Sequence, residues 1–311
     1  MSRTLPETWP PGPSVRGALP PAGWDRVIRT IAARHGLGDI TPAPYESGSD
    51  VVFRLGDRVL KLSAPCWADE IENEARLCAH LEGRLPFETP SPLAHGAFEG
   101  WPYVIVSRLE GVAMADVWPG LTTAERLDLA ARVGEAAAAL HAVPPPQEAG
   151  EDWPAFFSRM RDQLVATHRA RGASEVWIER VEPFVRAVEP LPEREPVTLH
   201  TELLGEHVLL RESSDGWRVA GMIDLADGRA GHPEYDWAAP VMFVFKGQPG
   251  CLRALLSAYG YPDAALNEAT SRRLLAWGLL HRFTSLPRML SAVGAPAPVD
   301  LDALARRLYT L

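Results

Sequence analysis

The chain changes character at Pro119, and that change restricts the fold more than any single motif. Before it, short β-type runs alternate with helical spacing; beyond it, helical spacing dominates. "DVVFRLGDRVLKL" (50–62) reads as two strands, 50–55 and 58–62, closed by a Gly56-Asp57 turn. Apolar residues at Trp24, Val27, Ile28 and Ile31 predict a helix ahead of that pair. "ADEIENEARLCAHLEG" predicts a second helix, stopped at Gly83, and Tyr103–Val106 a further strand. After Pro119, Thr122-x-x-Glu125 forms a capping box that opens a helix ended by the three prolines 144–146. "WPAFFSRMRDQLVATHRARG", "ASEVWIERVEPFVRAVEP", "CLRALLSAYGY", "ATSRRLLAWGLLHRFTSL" and "DLDALARRLYTL" predict the remaining helices. One β-type insert interrupts them: the apolar run 196–199, a polar loop, a strand at 208–210 and a partner in "WRVAGMIDL". The expected architecture is α+β, with no internal repeat. A Pro-rich irregular arm (1–21) precedes a small sheet-containing lobe (22–107). A crossing segment near 107–111 leads into a larger, mainly helical lobe (108–311).

Composition removes whole classes of function. A net charge of −9 and a pI near 5.5 argue against nucleic acid, which needs a basic surface, and suit a cationic partner. Cys66, Cys78 and Cys251 are scattered, with no CxxC pair, which points to a reducing compartment and to no structural zinc. The first residues hold no apolar signal core, and no apolar run reaches the roughly 18 residues of a membrane span. The expectation is a cytoplasmic protein; its oligomeric state is not legible.

The chemistry gathers in two places. "LHTELLGEHVLL" (199–210) sets His200, Glu202, Glu206 and His207 between two apolar runs, as in a loop held at strand ends. "MIDLADG" places Asp224 directly after the next strand. A hairpin bringing 208–210 beside 219–223 would draw Asp224 toward that loop, a metal or acid–base arrangement. In the first third, Lys61 sits in "RVLKL", and Glu74 lies on the helix face expected to look inward. A Lys–Glu pair would fix an ammonium where it can hold a phosphate. The small, flexible "ESGSD" (46–50) lets backbone N–H groups approach a polyphosphate.

In this order and spacing the chain resembles the aminoglycoside phosphotransferase family, antibiotic kinases with a protein-kinase-like fold. That family's loop reads H-G-D-x-x-x-x-N, followed by a strand, I-D-F or similar, and G-D-P-x-x-D. The matching text here is "HTELLGEHVLL", "MIDLADGRAGHPEYDWA" and "VLKL", over about Ser47 to His281. The resemblance implies ATP, with GTP as an alternative, and Mg²⁺, with Mn²⁺ as an alternative. It implies that Ser47, Gly48, Ser49, Lys61 and Glu74 serve the nucleotide phosphates, with backbone groups of Ser107 to Leu109 at the adenine. Glu202 stands at the catalytic-base position, and His200 braces its loop. Asp224 stands at the main metal position, His207 at the second, and Asp236 at the final Asp that supports the loop. Glu206, Asp227 and Glu234 are candidates to ring a cationic acceptor. Thr201, Glu202, His207 and His232 depart from the family's Gly, Asp, Asn and Asp. The implied function is phosphorylation of a hydroxyl on a small cationic antibiotic, an aminoglycoside or a basic peptide, with resistance as its consequence. Two alternatives stay open: a kinase of choline or a sugar, and a kinase-like protein that binds nucleotide without turnover.

Overall fold

The computed structural model describes residues 3–10, 14–46, 48–147, 152–188 and 195–311. They divide into two compact units. One holds residues up to Gly83, Glu88–Glu110 and the short segment Asp224–Asp227; the other holds Arg84–Phe87, Gly111–Ile223 and Gly228–Leu311.

The N-terminal unit is an antiparallel sheet with two helices. Helix α1 (Pro21–Arg34) starts with a proline in its first turn and buries Trp24, Val27, Ile28 and Ile31, the one-sided stripe its spacing predicts. Strands β1 (Ala43–Pro44), β2 (Val51–Leu55) and β3 (Arg58–Leu62) lead into helix α2 (Ala68–Leu81). Strands β4 (Pro92–Phe98) and β5 (Trp101–Ser107) complete the sheet in the order β1-β2-β3-β5-β4. Gly56, at φ +65°, supplies the left-handed residue that the β2–β3 hairpin turn requires. Strand β5 begins earlier than the expected Tyr103, and β4 was not expected at all. It is an edge strand whose Leu93 faces solvent, so it carries little apolar alternation. Within the Pro-rich stretch, Val15–Ala18 forms a 3-10 turn. Leu5 and Val15 are each 3% exposed and join the core under the sheet with Trp24, Ile28, Leu60 and Trp101.

The larger unit begins with β6 (Val112–Ala113), the short helix α3 (Met114–Val117) and α4 (Thr123–Ala142), which opens on the Thr122–Glu125 capping box. Helices α5 (Trp153–Ala170) and α6 (Glu175–Val188) follow. Strand β7 (Val197–Leu199) pairs antiparallel with β10 (Arg229–Gly231). Strands β8 (Val208–Ser213) and β9 (Gly216–Met222) form the expected hairpin, with Val208 opposite Met222 and β6 on the outer side. Helices α7 (Cys251–Tyr259), α8 (Glu268–Leu280), α9 (Leu286–Val293) and α10 (Leu301–Leu308) close the chain. Gly134 lets α4 approach α7 backbone to backbone, since a Cβ there would stand 2.1 Å from the Leu255 carbonyl. "ATSRRLLAWGLLHRFTSL" is not one helix: the chain leaves α8 at His281, whose ring bonds elsewhere. Among the described residues no helix is long and apolar enough to cross a membrane.

Candidate active site

Strand parity sets the first cluster. Residues 60 and 62 face the core beneath the sheet. Val59 and Lys61 face the other side, where Val104 and Val106 of β5 and Ile71 and Ala75 of α2 pack. On α2 the inward stripe runs Ile71, Glu74, Ala75 and Cys78, so Glu74 meets Lys61 inside an apolar layer. Lys61 Nζ lies 3.1 Å from Glu74 Oε2, 2.7 Å from Asp224 Oδ1 and 3.4 Å from Asp50 Oδ2. Asp224 reaches it because Asp224–Asp227 packs with this unit, where Asn73 Nδ2 donates to the Ala226 carbonyl at 2.9 Å. Asp224 itself turns the chain at φ +63°. The structure thus brings Lys61, Glu74 and Asp224 together and adds Asp50, which the sequence reading missed. A signal for it existed. Val52 is paired with Lys61 across the hairpin, so Asp50, two residues earlier, shares the Lys61 face.

The electrostatics follow from one ammonium among three carboxylates. Burial works against the Lys61 charge, but Asp224, Glu74 and Asp50 hold its pKa well above the ordinary lysine value. Burial pushes the Glu74 carboxyl up to about 7; Lys61 pulls against this, while Asp224 and Asp50 add to it. Cys78, one turn beyond Glu74, is held as an inert thiol by burial and by that carboxylate.

The other nucleotide candidates are less committed. Gly48, at φ +96°, and Ser49 are exposed, and Ser47 lies outside the described residues. Ser107 N–H donates to the Ser91 carbonyl and Arg108 N–H to the Asp57 carbonyl, both at 2.9 Å, so these two amides belong to the sheet rather than to an adenine. Leu109 is half-buried.

In the larger unit the polar loop is organised around Asp236, which is fully buried in the short helical turn Pro233–Trp237. Its Oδ1 accepts Thr201 N–H at 2.6 Å. Its Oδ2 accepts His200 N–H at 2.9 Å and lies 3.0 Å from His141 Nε2. His141 sits at the end of α4, and its Nδ1 lies 2.9 Å from the Tyr259 hydroxyl; sequence reasoning missed both. Thr201 takes φ +68°, where the family pattern has glycine. Its carbonyl accepts His281 Nε2 at 2.9 Å. His281 is held neutral, its pKa pushed down to about 4 by burial. Gly205 passes close to α3, where the Ala115 amide donates to its carbonyl at 2.9 Å and a Cβ would stand 3.1 Å from Ala115.

On this loop Glu202 and His207 are half-buried. His207 Nδ1 lies 3.0 Å from the Glu202 carbonyl, which can only accept, so Nδ1 carries a proton. The His207 carbonyl accepts Ile223 N–H at 3.0 Å. His200, grouped with the catalytic candidates and expected to brace the loop, has a fully buried ring, with Nε2 3.1 Å from the Ile223 carbonyl and a face toward His207. Glu234 is corrected. It is 1% exposed, its oxygens meeting Arg273 at 2.8 and 2.9 Å, Tyr261 Oη at 2.8 Å and Trp277 Nε1 at 3.1 Å. Burial opposes its ionisation, yet Arg273 and Tyr261 hold it below the usual carboxylate range. A carboxylate so fully engaged is structural and rings no acceptor. Asp227 is buried at 8% exposure and Glu206 is exposed.

With this geometry in hand, comparison places the chain. Residues 39–275 match the model of the phosphotransferase enzyme family. Viomycin phosphotransferase of Streptomyces vinaceus is 32% identical over 187 residues, a match spanning 55% of this chain and 62% of that relative's length. Among solved structures, the GDP complex of aminoglycoside 2′-phosphotransferase-IIIa superposes with a TM-score of 0.69 at 18% identity, over 82% of this chain and 88% of the other. An aminoglycoside phosphotransferase of Streptomyces rimosus, solved with ADP and streptomycin, gives 0.61 at 19% identity, over 82% and 98%. These likenesses fix a protein-kinase-like fold, and on the match across residues 39–275 the chain belongs to the phosphotransferase enzyme family.

Proposed function

We propose that the chain transfers the terminal phosphoryl group of ATP or GTP to a hydroxyl of a small cationic antibiotic, a basic peptide antibiotic or an aminoglycoside. The observation that carries this reading is the Lys61 cluster: a buried ammonium oriented by Glu74 at 3.1 Å, with Asp224 on its other side. Phosphoryl transfer needs little covalent help from protein. It needs charges fixed before the reaction starts. Lys61 supplies one at the nucleotide phosphates, and Glu74 keeps it from swinging. Asp236 fixes the backbone at His200 and Thr201, which sets where Glu202 begins. By resemblance Glu202 would accept the proton of the attacking hydroxyl, and its extra methylene, relative to Asp, would suit an acceptor seated further back.

The donor set fits a divalent cation brought with the nucleotide. Among the described residues no three His, Cys, Asp or Glu side chains gather into a metal cage. Magnesium in nucleotide sites is commonly held by one or two carboxylates and the phosphates themselves. Asp224 would hold it, with its carboxylate partly open to solvent. When bound, the ion supplies neutralisation of phosphate charge.

A cationic acceptor is supported by the −9 net charge and by the likeness to viomycin phosphotransferase. Incubation of a panel of basic peptide antibiotics, aminoglycosides, choline and sugars with ATP and with GTP, read by mass spectrometry, tests it. The expected product is a monophosphorylated cationic antibiotic, with a KM that rises with salt. A neutral sugar or macrolide as best acceptor, with salt-insensitive kinetics, would refute the substrate class.

A further inference from the structure

We propose that Ser14–Arg16, which lies outside the span matched by the family, positions the Gly48–Asp50 turn and thereby sets nucleotide affinity. This rests on the nucleotide reading of the Lys61 cluster.

The segment is firmly seated. Upstream, Glu99 Oε2 accepts the amides of Thr4 and Leu5, each at 2.7 Å, and Trp101 Nε1 donates to the Pro6 carbonyl at 2.8 Å. Trp9 packs against Trp101 with ring centroids 6.5 Å apart. At the segment itself Val15 is in the core, and Trp24 Nε1 donates to the Arg16 carbonyl at 2.9 Å. The backbone of 14–16 is therefore fixed to the sheet and α1. From it two side chains reach the turn: Arg16 Nε donates to the Gly48 carbonyl at 3.4 Å, and Ser14 Oγ to the Ser49 carbonyl at 3.5 Å. The next residue, Asp50, is 3.4 Å from Lys61 Nζ.

Its last residue is held by Lys61, but its glycine is not packed. Gly48 stands at φ +96° with no atom within 4 Å of where a Cβ would be, so side-chain packing does not define its conformation. Glycine is the residue with most backbone freedom to lose, and a site ordered in advance spares the ligand that loss. Both bonds are long and solvent-facing, so the expected effect is modest: roughly three- to tenfold in nucleotide affinity.

The test is the double variant Ser14→Ala/Arg16→Ala, which leaves Leu5, Val15 and the Trp24 contact in place. Amide exchange at Gly48–Asp50 is measured without nucleotide, together with Kd and KM for ATP and GTP, kcat and the acceptor KM. Expected are faster exchange at 48–50, nucleotide Kd and KM three- to tenfold higher, and kcat and acceptor KM within twofold. Unchanged exchange at the turn, or a nucleotide Kd equal to that of the unaltered chain, overturns the proposal alone. An unaltered chain that binds neither ATP nor GTP overturns the nucleotide reading, and this proposal with it.

Discussion

Lys61 in the N-terminal unit meets three carboxylates, whereas Asp236 in the larger unit meets two backbone amides and an imidazole. Both are buried charges, yet their surroundings are balanced differently. Around Asp236 each contact is a donor and the carboxylate is saturated, which is how a buried charge is made structural. Around Lys61 negative groups outnumber the positive one; burial raises the Glu74 carboxyl to about 7, Lys61 pulls against this, and Asp224 and Asp50 add to it. A cluster with surplus carboxylate is stabilised by whatever brings in positive charge. The first arrangement holds a loop still; the second would suit the nucleotide and cation proposed above.

The sharpest way to break this contrast is to remove one carboxylate from each cluster. Asp224→Ala should lower phosphorylation by about a thousandfold or more, the scale of losing a preorganised charge at a phosphoryl-transfer site. It should leave unfolding free energy within about 1 kcal/mol, because Lys61 keeps Glu74 and Asp50. Asp236→Ala should do the reverse to the fold, costing about 3–5 kcal/mol by stranding the His200 and Thr201 amides and His141. Chemical denaturation of both variants, beside turnover, checks the pair. A folded Asp224→Ala protein with near-normal turnover, or an Asp236→Ala protein of normal stability, would show that the roles are misassigned.

Acidity should separate the clusters next. Glu74 has a folded pKa raised from 4.5 to about 7, so between these values the folded state holds a proton that the unfolded chain has lost. Its contribution is fully present below about 4.5 and is lost as pH rises toward 7. His281 is the opposite case, lowered from 6.5 to about 4. There the unfolded chain takes up the proton, so stability is lost as pH falls from 6.5 toward 4. Relative to Glu74→Gln, the unaltered chain should therefore lose stability with rising pH; relative to His281→Gln, it should lose stability with falling pH. Each difference should be on the order of 1–3 kcal/mol over its window, read from denaturant midpoints. Differences that do not change with pH would remove the electrostatic contrast.

What the sequence made legible were relations within one element or across one turn. Lys61, Glu74 and the β8–β9 hairpin follow from periods of 2 and 3.6 and a short connection. Relations that join distant stretches were not legible. Glu234 looks like a loop charge until Arg273, in another helix, is seen to grip it, and His141 looks like a helix-end residue until Asp236 is found beside it. The break at His281 was hidden for the same reason: apolar spacing runs on through it, and the ring's partner, the Thr201 carbonyl, lies in a different part of the chain. The functional roles of Glu202 and His207 came from resemblance alone, since a polar loop between apolar runs has no period to read.

The smallest expected effect is at Thr201, and its sign is unusual. A β-branched residue at φ +68° is held against its own preference, at a cost of about 1–3 kcal/mol. The Thr201 hydroxyl is also buried with no hydrogen-bond partner among the described residues, which adds to the burden. The contacts that position the loop use only the backbone: the amide to Asp236 and the carbonyl from His281. Glycine preserves both and takes positive φ without strain, though it loses about 0.5–1 kcal/mol of chain entropy and the buried methyl. Thr201→Gly should therefore stabilise the protein by up to about 1 kcal/mol, where a Thr→Gly change at an ordinary φ would destabilise it. Thr201→Ala, which removes the hydroxyl but keeps the strain, should fall between. Thermal and denaturant melts of the two variants decide the matter. If Thr201→Gly is the less stable of them, the strain account is wrong, and the threonine side chain itself helps to hold the loop beside Asp236 and His281.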